Sequence, residues 1–186
     1  VTVSSPVCHA SFVASAYSDP VTSEIEAPMQ RKYLPILAAS LLAGTALPAH
    51  AEMVFNRIAS FPVALNAPDA EETSSESIAA SDDGMLLVYS DSPAGGIGFV
   101  DITDPKAPKA DGFLALDGEP TSVTIAGGKA FVGVNTSDSY TDPSGRVAVV
   151  DLASRSVDAT CDLGGQPDSI AHNSAGDLIA VAIENE

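Results

Sequence analysis

The chain has 186 residues, of which 25 are acidic and 8 are lysine or arginine, so its formal net charge at pH 7 is −17. A surface with this excess of carboxylates repels phosphate backbones, because nucleic-acid binding depends on neutralising phosphates with lysine and arginine. Composition therefore excludes nucleic-acid binding as a main function. Acidic loops can bind hard cations such as Ca²⁺, or they can keep an exported protein soluble, and composition leaves both interpretations open.

The residues before position 52 have the three parts of a secretory signal peptide. A basic start at residues 29–32 precedes an apolar segment at 33–47, and Ala51 is the small residue before a cut at Glu52. The apolar segment is shorter than the about 20 apolar residues that a membrane-spanning helix needs. We therefore predict a signal peptide at residues 29–51, cleavage between Ala51 and Glu52, and a periplasmic or extracellular protein without a stable transmembrane span.

A signal peptide acts from the N-terminus, yet 28 residues precede Met29. We interpret residues 1–28 as an upstream extension that comes from a misplaced start site, and a genuine N-terminal extension is the alternative. Residues 52–186 are then the mature part. Residues 1–51 hold three acids and two bases, so residues 52–186 keep 22 acids, 6 bases and a net charge of −16.

Two short elements recur at a regular distance in this mature part. Residues 118–123 (Gly-Glu-Pro-Thr-Ser-Val) return as 165–170 (Gly-Gln-Pro-Asp-Ser-Ile), with a weaker copy at 76–78. The serines of the three copies are 45 and 47 residues apart, and Phe-Val-Asp-Ile at 99–102 returns after 50 residues as Val-Val-Asp-Leu at 149–152. A period in the mid-forties, built from short apolar runs, is typical of four-stranded β-propeller blades.

Alternating apolar residues and turn residues place the strands. We predict strands at residues 53–65 with a break at Pro62, 77–80, 85–89, 97–102, 110–116, 122–126, 129–135, 146–152 and 157–163, and two more between 168 and 183 around a turn at 175–177. The first of these is expected to complete the last blade of the ring. The class is all-β, with about two and a half four-stranded repeats. Because propellers close with about four to eight blades, we expect an incomplete ring that is the N-terminal part of a longer propeller or comes from a truncated reading frame.

Residues 98–105 (Gly-Phe-Val-Asp-Ile-Thr-Asp-Pro) and the two Gly-x-Pro elements carry a family resemblance. The chain resembles the exported bacterial propellers with YVTN-like or LVIVD-like blades, which are similar to WD40 repeats. Among them it is most similar to the choice-of-anchor propellers, which are often described as alkaline-phosphatase-like or found beside phytase-like esterase domains. The resemblance covers residues 77–186. It implies a propeller for this chain and an activity only for whole proteins of the group.

In a propeller, the loops between blades and the loops that join the second and third strands of a blade emerge on one face, where ligands usually bind. Here these loops carry carboxylates and amides that could form a ligand-binding or metal-binding rim: Asp91, Glu119, Asn135, Asp138, Asp142, Gln166, Asp168, Glu184, Asn185 and Glu186. Such oxygen ligands suit Ca²⁺ and, through it, a phosphate ester. The other interpretation is that these loops are polar because they face water. Asp101 and Asp151 follow apolar strands, and we interpret them as structural turn residues.

Two functions fit these patterns. The first is a non-catalytic scaffold whose loop face binds a protein, a glycan or a small phosphorylated ligand. The alternative is a Ca²⁺-dependent phosphoesterase, alkaline-phosphatase-like or phytase-like, in the full-length protein. A gene fragment without stable function is a third interpretation. No Gly-x-Ser-x-Gly elbow or paired histidines occur, so neither a serine hydrolase nor a zinc site is predicted and catalytic residues stay unassigned.

Overall fold

The computed structural model of the protein describes residues 56–184. These residues form ten strands and no α-helix: β1 (Ile78–Ala80), β2 (Leu86–Asp91), β3 (Gly96–Asp101), β4 (Lys109–Ala115), β5 (Glu119–Ala126), β6 (Lys129–Asn135), β7 (Gly145–Asp151), β8 (Ser156–Asp162), β9 (Gln166–His172) and β10 (Ile179–Glu184). The predicted signal peptide, its cleavage site, Asn185 and Glu186 lie outside the described residues.

The strands form three antiparallel sheets in chain order. We call β1–β4 blade 1, β5–β8 blade 2, and the pair β9–β10 blade 3. Each sheet is a meander in which every strand pairs with the next one along the chain. This arrangement confirms the predicted all-β class and the repeat of two four-stranded blades followed by half of a third.

Strand register brings one set of loops to the same end of the blades. Asp91, the last residue of β2, pairs with Gly96, the first residue of β3. In blade 2, Asn135 pairs with both Glu119 and Gly145, and in blade 3 Glu184 pairs with Gln166. We call this the mouth end. It carries the loops at residues 92–95, 116–118, 136–144 and 163–165.

The hydrophobic core lies between blades 1 and 2. Because side chains alternate between the two sides of a strand, each blade presents apolar residues to its neighbours on both sides. One side of blade 1 and one side of blade 2 form a single buried cluster of Val88, Ile97, Phe99, Val123, Ile125, Ala130, Val132, Val134, Ala148 and Val150. The blades are therefore held together by packing that involves their central strands.

The repeated Gly-x-Pro element forms the joint between consecutive blades. Pro120 and Pro167 are both fully buried. A Cβ atom on Gly145 of blade 2 would lie 2.3 Å from Pro167 Cδ and 2.6 Å from the Gly165 carbonyl oxygen, so the proline of blade 3 packs directly on the glycine backbone of blade 2. At the preceding joint the Ser92 hydroxyl of blade 1 donates to the Pro120 carbonyl at 2.8 Å, so both copies of the element contact the neighbouring blade, through different atoms.

The sequence interpretation placed the Gly-x-Pro elements in loops, and this was wrong for most of their residues. Strand β5 begins at Glu119, and β9 begins at Gln166 and contains Asp168. Proline lacks an N–H group, but β5 pairs only with β6, so Pro120 sits in a strand with one open edge. The register also shifts between Pro120 and Ser122, which accommodates the proline.

The predicted strand at residues 53–65 is also wrong within the described residues. Residues 56–62 have no regular structure, and Val63–Leu65 form a single 3-10 turn after Pro62. The segment is held by Asn66, which donates from Nδ2 to the Phe99 carbonyl at 2.9 Å and to the Tyr89 hydroxyl at 3.2 Å. A break at Pro62 and side-chain hydrogen bonds thus replace the ladder that a strand would need.

Candidate functional site

The mouth end of blade 2 holds a cleft of about 390 Å³ between the β4–β5 and β6–β7 loops. It is lined by Asp117, Gly118, Glu119, Asn135, Thr136, Ser137 and Arg146. Of the predicted rim residues, Glu119 and Asn135 are the two that line this cleft. Asn135 Nδ2 lies 3.5 Å from Glu119 Oε2, which is the long limit of a hydrogen bond.

Gly118 allows the two sides of this cleft to approach each other. Its φ of +122° lies in a region that side chains disfavour, and a Cβ atom there would lie 2.7 Å from the Asn135 carbonyl oxygen. The β6–β7 loop is in turn fixed by Asn135, whose Oδ1 accepts the Ser137 N–H at 2.9 Å, and by the Ser137 hydroxyl, which accepts the Ser144 N–H at 2.9 Å. The close approach at Gly118 and these hydrogen bonds therefore fix the backbone that forms the cleft.

Arg146 is the residue of this site that the sequence interpretation missed. It is the second residue of β7, and its Nη2 donates to the Asp117 carbonyl and lies 3.9 Å from the Asp117 carboxylate. Its Nε is buried and has no hydrogen-bond partner. The feature of the sequence that could have pointed to Arg146 is a single basic residue next to Gly145 at the start of a strand. The contact itself joins residues 29 positions apart, which strand patterns do not predict.

Asp91 does not belong to an open rim. Its side chain is fully buried, and Oδ1 accepts the N–H groups of Ser74 at 2.9 Å and Ala94 at 3.2 Å. These two bonds tie the β2–β3 loop to the segment before β1. Asp91 Oδ2 is also buried and has no partner. The buried Asp91 carboxylate thus fixes the loop at the mouth end of blade 1.

The other predicted rim residues are dispersed. Asp138 and Asp142 are exposed on the β6–β7 loop, and Gln166 and Glu184 pair at the mouth end of blade 3. Asp168 is exposed within β9. Across residues 56–184, no group of three or more His, Cys, Asp or Glu side chains lies close enough together to hold a metal ion. The described part of the chain therefore supplies no calcium site from such residues alone.

Asp101 and Asp151 lie at the opposite end of the blades, where each accepts hydrogen bonds from the following turn. Asp101 Oδ1 accepts the Thr103 N–H at 2.9 Å and the Thr103 hydroxyl at 2.7 Å. Asp151 Oδ1 accepts the Ser154 N–H at 2.8 Å and the Ala153 N–H at 3.0 Å. These bonds stabilise the ionised carboxylates, so backbone donation from Thr103 and from Ser154 is the main cause that lowers the pKa of each aspartate.

Comparison of the sequence with models of protein families identifies the family of this chain. A family model described as the choice-of-anchor I domain matches residues 76–186, which covers all three blades. The chain belongs to this family. The match begins just before β1, so the segment at residues 57–66 that packs against blade 1 precedes the matched region of the choice-of-anchor I domain. Among curated proteins, none matches the sequence.

Solved structures similar to this choice-of-anchor I chain include three that share little sequence with it. A luciferin-regenerating enzyme is 18% identical with a TM-score of 0.42, over 54% of this chain and 34% of its own. Glutaminyl cyclase from Myxococcus xanthus is 16% identical with a TM-score of 0.42, over 61% and 45%. The Cps50 (Swd1) β-propeller domain from Myceliophthora thermophila is 9% identical with a TM-score of 0.34, over 60% and 49%. The matched region thus spans less than half of each of these chains.

The choice-of-anchor I domain is consistent with a surface-associated or exported protein. Within residues 56–184, no helix is long and apolar enough to cross a membrane.

Proposed function

We propose that this choice-of-anchor I domain is a binding module that takes a neutral, polyhydroxylated ligand of the glycan class in the mouth cleft. The observation that carries the proposal is the composition of the cleft. The carboxylates of Asp117 and Glu119 accept hydrogen bonds, while the Asn135 amide and the Arg146 guanidinium donate them. A cleft of about 390 Å³ is within the usual size of small-ligand sites. Sugar hydroxyls, which both donate and accept, match this mixture of groups.

The distribution of charge favours a neutral ligand over a phosphorylated one. Arg146 is the only base at the mouth end within residues 76–184, and it faces two carboxylates. The remaining bases of that range lie at the opposite end of blades 1 and 2: Lys106, Lys109, Lys129 and Arg155. An anion approaching the mouth therefore meets a net negative potential, which lowers its association rate and affinity.

A glycan array with the purified 186-residue chain, followed by calorimetry with the best oligosaccharide, tests this proposal. A hydrogen bond to a charged group contributes about 1.5–3 kcal/mol, so Glu119→Gln and Arg146→Gln should each weaken binding about tenfold or more. Lys106→Gln, an exposed change at the opposite end, is the matched control and should leave the affinity unchanged. Absence of any retained oligosaccharide, or equal affinity in all variants, would overturn the proposal.

The alternative function is a calcium-dependent phosphoesterase of the alkaline-phosphatase-like or phytase-like type in the full-length protein. The described residues form no group of three or more His, Cys, Asp or Glu side chains that could hold a metal ion, so a calcium site here would need other oxygen ligands or residues outside positions 56–184. Hydrolysis of p-nitrophenyl phosphate in CaCl₂, abolished by EGTA, would establish this function for the full-length protein. Turnover that persists in Asp138→Asn would show that the β6–β7 loop takes no part in it.

We also propose that the chain is exported through the signal peptide at residues 29–51. The support is the basic start, the apolar segment and the small residue Ala51. Membership of the choice-of-anchor I family is consistent with export. Fractionation of a bacterial host that expresses the chain tests it, because an exported protein accumulates in the periplasm or the medium.

A further inference from the structure

We propose that a cleft between blades 1 and 2, at the end opposite the mouth end, is a docking site for an arginine or lysine side chain of a partner protein. We call it the lower cleft. It has a volume of about 420 Å³, and both of its walls come from complete four-stranded blades. It is lined by Ser81, Asp82, Asp83, Leu86, Ile125, Gly128, Leu152 and Ala153, none of which lines the mouth cleft.

The β1–β2 turn forms one wall of the lower cleft and carries both of its carboxylates, those of Asp82 and Asp83. Asp83 Oδ1 accepts the Ser81 hydroxyl at 2.6 Å and the Met85 N–H at 3.0 Å, which holds this carboxylate in place. The bond from the Ser81 hydroxyl is the main cause that lowers the pKa of Asp83, so the group is ionised at neutral pH. Within residues 56–184, neither carboxylate forms an ion pair with a base.

The other side chains that line the lower cleft are apolar. Ile125 belongs to the buried cluster between the blades, and Leu86 and Leu152 are partly buried against that cluster. On blade 2, the Leu152 N–H donates to the Gly128 carbonyl at 3.1 Å, which joins the β5–β6 turn to the β7–β8 turn. The lower cleft therefore has carboxylates on one wall and hydrocarbon on the rest of its surface.

This distribution of groups favours an occupant with one positive charge at the end of an apolar stem. Arginine and lysine side chains have this form, because their methylene groups pack on apolar surface while the charged group stays near water. A polyamine carries several charges along its length. If one of its ammonium groups met the two carboxylates, another would lie against Leu86 or Leu152 at a cost in desolvation. A single basic side chain of a protein is therefore the occupant that fits.

The bases at this end of the blades leave the lower cleft negative. Lys129 Nζ lies 2.6 Å from Asp158 Oδ2 and 3.5 Å from Asp151 Oδ2, and the Arg155 guanidinium pairs with Asp111. Within residues 76–184, this end carries four bases and eight aspartates: Asp82, Asp83, Asp101, Asp104, Asp111, Asp151, Asp158 and Asp177. A basic segment of a partner therefore meets a net attractive potential as it approaches the lower cleft.

Chemical-shift titration of the ¹⁵N-labelled 186-residue chain with the peptides Ac-Gly-Arg-Gly-NH₂ and Ac-Gly-Lys-Gly-NH₂ tests the proposal. We expect saturable shifts of the Gly84, Gly128 and Ala153 amides with at least one of the two peptides. A peptide with citrulline, the neutral isostere of arginine, should give no saturable shift. Spermidine is the competing occupant. If it shifts the same amides with a higher affinity than either peptide, the lower cleft is a polyamine site and the proposal is wrong.

Two variants separate the lower cleft from the general attraction of an acidic surface. Asp82→Asn should weaken binding about two- to fivefold, the usual effect of an exposed ion pair, whereas Asp177→Asn removes the same charge from another turn at this end and should leave the affinity unchanged. Ala153→Phe fills the lower cleft without changing any charge and should abolish binding, with Ala175→Phe, at another exposed turn alanine, as its control. The dispersion of amide signals shows whether each variant folds. Equal effects of Asp82→Asn and Asp177→Asn, binding that survives in Ala153→Phe, or the absence of saturable shifts would each overturn the proposal.

Discussion

At the scale of single residues, the glycines of the blade joints are constrained by contact and not by backbone conformation alone. Gly145→Ala would place Cβ 2.3 Å from Pro167 Cδ and 2.6 Å from a carbonyl oxygen, so the joint must shift to accommodate it. We expect a loss of about 1–3 kcal/mol in the free energy of unfolding, the usual cost of overpacking, measured by urea denaturation. Gly164→Ala is the control, because nothing lies within 4 Å of a Cβ atom there. Similar stability in the two variants would contradict the packing role of Pro167.

Asp151 makes stability depend on pH. Backbone donation from Ser154 lowers the pKa of Asp151 in the folded chain below its ordinary value. A lowered folded-state pKa stabilises the fold above the ordinary value of about 3.9, and this stabilisation is lost as pH falls through the folded-state pKa.

We therefore expect Asp151→Asn, which keeps an acceptor oxygen but does not titrate, to lose less stability than the wild type between about pH 5 and pH 2. Chemical denaturation at several pH values measures this. Asp82→Asn, an exposed change in the β1–β2 turn, is the control. Parallel pH profiles for the wild type and Asp151→Asn would show that the turn carboxylate does not contribute.

At the scale of elements, the β7–β8 loop links blade 2 to blade 1 through Arg155. Its guanidinium lies 4.1 Å from the centre of the Phe99 ring and also pairs with the Asp111 carboxylate. The ion pair is partly exposed and should contribute little, since exposed pairs are worth about 0–1 kcal/mol. The stacking on Phe99 is expected to be the larger of the two contributions, because that ring is buried.

Arg155→Gln should therefore destabilise the chain by about 0.5–2 kcal/mol, and Asp111→Asn should cost less. Urea denaturation of both single variants and the double variant separates the two contributions. If Asp111→Asn costs as much as Arg155→Gln, the ion pair and not the stacking holds this loop against blade 1.

The sequence predicts most strands of the two complete blades, but it does not predict the start of β5. Alternation and turn residues locate β2, β3, β4, β6, β7 and β8 within one to two residues, because strand periodicity and Gly-Gly or Asp-Gly turns are local signals. The start of β5 at Glu119 was not predicted, because proline usually interrupts a strand. Pro120 is accommodated in β5 because one edge of that strand is open. The apolar residues at 53–65 were read as a strand, although the described part of that segment packs without ladder partners.

The sequence predicts only part of the candidate cleft, because the cleft depends on contacts between residues that are distant in the chain. Glu119 and Asn135 were expected at one end of the blades, since propeller connectivity alone brings them there. Their direct pairing follows from the β5–β6 register, and the approach of Arg146 to Asp117 crosses from one loop to another. Asp91 occupies the predicted end of its strand but points into the protein, because two backbone N–H groups are available inside. Tertiary contacts of this kind have no local pattern in the sequence.

At the scale of the whole molecule, processing of the N-terminus decides which residues the mature protein contains. If signal peptidase cuts before Glu52, intact-mass analysis of the exported protein should give the mass of a chain that starts at Glu52. Ala51→Arg should block the cut and leave an uncleaved precursor, because the site requires a small residue at that position. Val54→Arg, a similar change after the cut, is the matched control and should be processed normally. A mature protein that starts at Val1, or a chain retained in the cytoplasm, would contradict the predicted signal peptide.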